Sequence, residues 1–121
     1  MNIYFPSYKA TLHISYKEVK NNLFILTEES NKLAYDHSIK ASSIEEKIFL
    51  KPAKSVYGTI YFIGGNAASP LQFFLTDSTH NFLRGSIYIN ATPNIDSLKP
   101  VIEFITRDVI HLIETFEWID Q

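Results

Sequence analysis

Apolar and polar residues alternate along much of this chain, and the spacing moves between the strand period and the helix period. Tyr8, Ala10, Leu12, Ile14 and Tyr16 alternate with Lys9, Thr11, His13 and Ser15, which predicts a half-buried strand over residues 8–16. Leu23, Leu26, Ser30, Leu33, Ala34 and His37 then share one helical stripe, with Glu28, Glu29, Lys32 and Asp36 toward water. Asn21 or Asn22 stands where a helix cap belongs, and the acidic pair suits the positive end of the helix dipole. From residue 42 to 50 the period returns to two: Ile44, Glu46, Ile48 and Leu50 oppose Glu45, Lys47 and Phe49, and Pro52 ends the run. Glu46 makes that strand less clean than the first. Residues 56–63 are nearly all apolar or aromatic, which predicts a central strand.

The block from Gly64 to Gly85 reads as a loop over 64–69, a strand, a tight turn and a second strand. Pro70 opens the first of these strands, where a missing N–H does least harm. Leu71, Phe73 and Leu75 alternate with Gln72, Phe74 and Thr76. Asp77-Ser78-Thr79-His80 supplies turn chemistry, since an Asp side chain accepts backbone N–H bonds ahead of it. A strand over 82–89 follows, and so short a link predicts an antiparallel hairpin. Loop and turn bracket one strand of six to eight residues, which at about 3.3 Å per residue separates them by roughly 20 Å. Near the C-terminus, Leu98, Val101, Ile102, Ile105, Val109, Leu112, Ile113 and Phe116 recur at steps of three and four. That is a long helix, with Ser97 as cap and Pro100 in its first turn. Phe104 and Ile110 sit off the stripe and hint at a second contact.

The order β-α-β-β-β-β-α predicts a single α+β domain over 1–121, with an antiparallel sheet of about five strands packed against two helices. That order is similar to the PsbP/Mog1 group of small α/β/α proteins. At 121 residues the chain is long enough for one core. A formal net charge of −2 gives no electrostatic case for nucleic acid or an anionic membrane. With no Cys, thiolate chemistry and disulfides are excluded. No apolar run approaches the roughly 18–20 residues that span a bilayer.

Candidate chemistry is sparse. His13, His37, His80 and His111 show no metal-ligand spacing, although a His37–His111 pair across the helix layer would have ligand character. No bound metal and no cofactor are expected. Asp77, Ser78 and His80 are the residue types of a hydrolytic triad, but residues in one tight turn rarely reach the necessary geometry. Gly64-Gly65-Asn66 is a weak anion-loop candidate, since it precedes a strand and not a helix. Glu28-Glu29 and Glu45-Glu46 point apart as sequence neighbours. Asn90-Ala91-Thr92 has glycosylation spelling only. Arg84, in an apolar strand, needs a partner. Asp77, Glu46 or Asp108 would supply a structural ion pair, and an exposed recognition contact is the alternative.

The run NAASPLQFFLTDSTHNFLRG, together with YKATLHISY, LAYDHSIKAS, VYGTIYFIGGNAASP and PNIDSLKPVIEFITRDVIHLIE, resembles the gliding-motility lipoprotein GldD family of Bacteroidetes. The resemblance covers residues 4–118. It implies a non-enzymatic, lipid-anchored, periplasm-facing protein of the cell envelope that supports gliding and the linked type IX secretion machinery. The signal peptide, lipidated Cys and additional N-terminal segment of that family would precede this chain. Partners would be other gliding or secretion envelope proteins, and no catalytic residues carry over. Asn66, Asp77, His80 and Arg84 form the candidate interaction surface. The rival reading is a small-ligand or lipid-binding domain with a pocket between sheet and helix.

Overall fold

Period-two segments become strands and period-3.6 segments become helices in the structure, a computed structural model that describes residues 1–5, 10–36, 41–65, 69–89 and 95–119. The strands are β1 (Asn2–Phe5), β2 (Ala10–Glu18), β3 (Ala41–Lys51), β4 (Val56–Gly65), β5 (Leu71–Thr76) and β6 (Asn81–Ile89). The helices are α1 (Leu23–Asp36) and α2 (Ile95–Thr115), and a single 3-10 turn, Pro52–Lys54, joins β3 to β4. One antiparallel sheet holds all six strands in the order β1-β2-β6-β5-β4-β3. An α+β fold with a long C-terminal helix is therefore present, with one strand more than the alternation predicts. That strand, β1, has only four residues and shows no period of its own. β2 holds it, from Asn2 opposite His13 to Phe5 opposite Ala10.

Alternation in β5 sorts the core into two. Leu71, Phe73 and Leu75 lie in one buried cluster with Leu12, Ile60, Ile87 and, from α2, Ile105, Val109 and Ile113. Phe74 lies in a second, with Tyr61, Phe82 and, from α1, Leu26 and Ala34. The two helices thus cover opposite faces of the sheet. Every residue of β5 is buried, so β5 occupies the centre assigned from sequence to residues 56–63. β4 is internal, one strand in from the edge.

Several expectations shift. The first predicted strand begins at Ala10 and runs on to Glu18, because Lys17 and Glu18 pair with Phe82 and Asn81; Tyr8 lies outside the described residues. α2 begins two residues before Ser97, so Pro100 falls inside the helix, where it removes the bond to the carbonyl of Asp96. Leu112 is not core: it is 36% exposed, whereas Ile113 is fully buried. Ile110 packs against the α2-side cluster, as its position off the stripe suggests. Phe104 instead is exposed, with the Arg107 guanidinium 5.6 Å above its ring. At α1, Asn22 accepts the first helical bond through its carbonyl, from the N–H of Leu26 at 3.1 Å. Its side chain turns back to the N–H of Lys20 at 2.7 Å.

Two glycines are required by close approach. A Cβ on Gly85 would overlap the ring of Phe73, its cross-strand partner, and a Cβ on Gly58 would overlap the Phe74 carbonyl oxygen. Gly85→Ala should destabilise the domain by about 1–3 kcal/mol. Phe73→Leu should recover part of that loss in the double variant; strictly additive urea-unfolding energies would show that ring and backbone do not compete. Ile113→Ala should cost about 2–5 kcal/mol. Leu112→Ala should cost less than half as much in the same assay.

Candidate functional site

The β5–β6 turn is built by one carboxylate. Asp77 Oδ1 accepts the backbone N–H groups of Thr79 (3.0 Å), His80 (2.8 Å) and Asn81 (2.8 Å), and Oδ2 accepts the Asn81 side-chain amide at 2.7 Å. Burial alone would push this carboxyl up. The bonds from Asn81, His80 and Thr79 outweigh it and bring the pKa down to about 2. They also hold Ser78 at φ 74°, a left-handed angle unusual for a residue with a Cβ. Asp77 thus takes the backbone N–H of His80 and not its ring, which contacts Thr79 Oγ1 at 3.0 Å. An acid–base–hydroxyl relay therefore lacks its first link here. The His80 carbonyl accepts the N–H of Val19 at 2.8 Å, tying the turn to the end of β2.

Asp77 and His80 are brought together at one end of the sheet. They line an open cleft of about 990 Å³ with Tyr16, Lys54, Glu117 and Trp118. Lys54 and Glu117 pair there at 3.2 Å, and Trp118 donates to the Ser55 carbonyl at 2.9 Å. Asn66 lies outside the described residues, as do His37 and Asn90-Ala91-Thr92. Gly64 and Gly65 are not loop residues. They extend the β4 ladder opposite Ser43 and Ala41, so their backbone is committed to β3.

Arg84 sits elsewhere, midway along β6 on the α1 face, between Phe74 of β5 and Ser15 of β2. The expected ion pair does not form. The Asp77 carboxylate is occupied in the turn, Asp108 belongs to α2 on the opposite face, and Glu46 lies three strands away. There Glu46 accepts the Tyr35 hydroxyl at 2.6 Å, which raises the Tyr35 pKa above its usual value. Burial, then Glu46, pushes neighbouring Tyr61 up to about 12. Glu46 in the otherwise apolar face of β3 is thus explained by the two tyrosines beside it. Arg84 itself is half-buried, with no ion pair or hydrogen bond to another described residue. It borders a cleft of about 620 Å³ with Asn2, His13, Ser15, Ser86 and Tyr88. The His13 and Tyr88 rings meet edge to face at 5.0 Å.

Two further residues stand out that the sequence reading left unmarked. Ile48 and Leu50 on β3 are 73% and 63% exposed. Their alternation is visible in sequence, but that β3 ends the sheet is not. Among the described residues no three His, Asp or Glu side chains cluster as metal ligands, and no helix is long and apolar enough to cross a membrane.

A family model described as gliding motility lipoprotein GldD matches residues 1–118. No curated protein and no solved structure matches the chain.

The low pKa of Asp77 gives a testable sign. A carboxyl depressed on folding contributes stability that is present above its unfolded value near 3.8 and is lost as pH falls through about 2. The urea midpoint of Asp77→Asn should fall below that of the parent above pH 4, and the gap should close toward pH 2. A gap independent of pH would mean that the charge contributes nothing.

Proposed function

The chain belongs to the gliding motility lipoprotein GldD family, and from that premise we propose that it is a non-enzymatic, periplasm-facing module. In this reading it supports gliding and the linked type IX secretion machinery by binding other envelope proteins. The family name itself places the chain among membrane-anchored envelope lipoproteins.

The observation that carries the reading is the free edge of β3. This strand is 11 residues long, pairs among the described residues only with β4, and exposes Ile48 and Leu50 on one face. An edge of this kind offers a row of backbone donors and acceptors to an added strand, and its apolar side chains offer burial. Glu45, Glu46 and Lys47 along the same strand discourage indiscriminate pairing, so the partner strand would be one of matching charge. The turn supports the non-enzymatic part, because its acid is committed to backbone N–H groups.

Ile48→Lys with Leu50→Lys tests this. Both residues are already in water, so the change should move stability by no more than about 0.5 kcal/mol. Cells carrying the variant in the full-length lipoprotein should lose gliding at a normal protein level, and crosslinking should lose a partner that the parent captures. Normal gliding with an unchanged crosslinking pattern would refute the role of this edge.

A further inference from the structure

We infer that the cleft beside Arg84 is a binding site for an acidic sugar, with the guanidinium taking the carboxylate. A half-buried arginine without a partner is costly. Lys17, Lys20, Lys32 and Lys54 meet carboxylates, Glu29, Glu18, Asp36 and Glu117 respectively, Lys51 donates to the Glu114 carbonyl, and Arg84 has no such contact among the described residues. No carboxylate lines this cleft, and Glu29, which borders a second, smaller pocket with Arg84, is paired with Lys17 at 3.7 Å. Ser15 is its cross-strand partner on β2, Ser86 lies two residues along β6 on the same face, and His13 pairs with Ser86.

The register that assembles this set is continuous over nine residue pairs from Ala10–Ile89 to Glu18–Asn81. It therefore places hydroxyls and cation on rigid strands and not on a loop. A guanidinium fork matches a carboxylate through two parallel N–H···O bonds. The rest of the lining suits a polyol better than a hydrocarbon acid. Ser15 and the Asn2 amide donate to or accept from ring hydroxyls, and the Tyr88 ring, set against His13, gives an aromatic wall for the C–H face of a sugar. The volume of about 620 Å³ lies within the roughly 300–1,000 Å³ of small-molecule sites. α1 borders Arg84 on one side through Leu26, Glu29 and Ser30, and none of its residues lines the cleft itself.

The site lies on β2 and β6, three strands from the free edge of β3, so it stands or falls separately from that edge. The test is an NMR amide-shift titration of the chain with glucuronate, glucose and inorganic phosphate at constant ionic strength. Glucuronate should give saturable shifts at Ser15, Arg84 and Ser86, and glucose should not. Arg84→Met should weaken glucuronate binding at least about tenfold, the loss expected for a charge-assisted bond, with no change in Tm. Ile48→Lys with Leu50→Lys should leave binding intact. If Arg84→Met does not fold, Arg84→Lys carries the test, since a point charge lacks the fork and should bind at least about threefold more weakly. Absence of saturation with glucuronate, equal shifts from glucose, or parental affinity in Arg84→Lys would overturn the assignment. Phosphate binding at the same residues as tightly as glucuronate would overturn the sugar and leave a plain anion site.

Discussion

The ring of Phe73 lying on the bare backbone of Gly85 is the contact on which the rest of the structure depends. Phe73 is the bulkiest of the fully buried side chains, and it shares its cluster with Ile105, Val109 and Ile113 of α2. The fit fixes more than one face. Arg84 and Ser86 flank Gly85 and point the other way. A slip of one residue in β6 would bring a charge to the dry side and a glycine to the wet side. The core requirement at residue 85 is therefore what holds Arg84 against Ser15.

The two faces of the sheet differ in chemistry as a result. Against α2 the filling is aliphatic and aromatic. Against α1 the strands bury Gln72, Thr76 and Ser86 as well. Gln72 donates to Ser69 at 3.2 Å, Ser69 donates to the Ile87 carbonyl at 2.6 Å, and Thr76 donates to the Asn81 carbonyl at 2.6 Å. No buried side-chain nitrogen or oxygen among the described residues lacks a partner. A face with satisfied polar groups tolerates a thin cover, because each group already has the bond that water would have supplied. This is why a helix with few buried residues, Leu26, Ser30 and Ala34, suffices on that side.

Much of the fold is legible in local pattern. The alternation in 71–76, the stripe of α2 and the Asp77 turn depend on neighbours within a few residues, and the structure keeps them. What the pattern hides is pairing between distant segments. Nothing in Ser15 or Ser86 announces that β2 lies beside β6, and without that pairing Arg84 looks like a residue in search of an acid. Likewise Ile48 and Leu50 read as ordinary inward positions until β3 is seen to end the sheet. Two errors had a local cause. Gly64-Gly65 suggested a loop because glycine is rare inside strands, yet here it closes a ladder with a bulge between Ala41 and Ser43. Leu112 followed the helical spacing but lies at the rim of the buried stripe, one residue before fully buried Ile113.

The pairing of β2 with β6 also sets the order in which the molecule can come together. Strands β3 to β6 form a meander of neighbours, each within reach of the last. β2 joins across the whole intervening chain, from Ala10 to Ile89 at one end of the ladder and from Glu18 to Asn81 at the other. Contacts of that sequence separation carry a large loop-closure cost and slow the reaction that forms them. The cleft beside Arg84 takes His13 and Ser15 from β2 and its cation from β6, so it does not exist until that ladder has closed. It forms only after the most distant strands of the ladder have met.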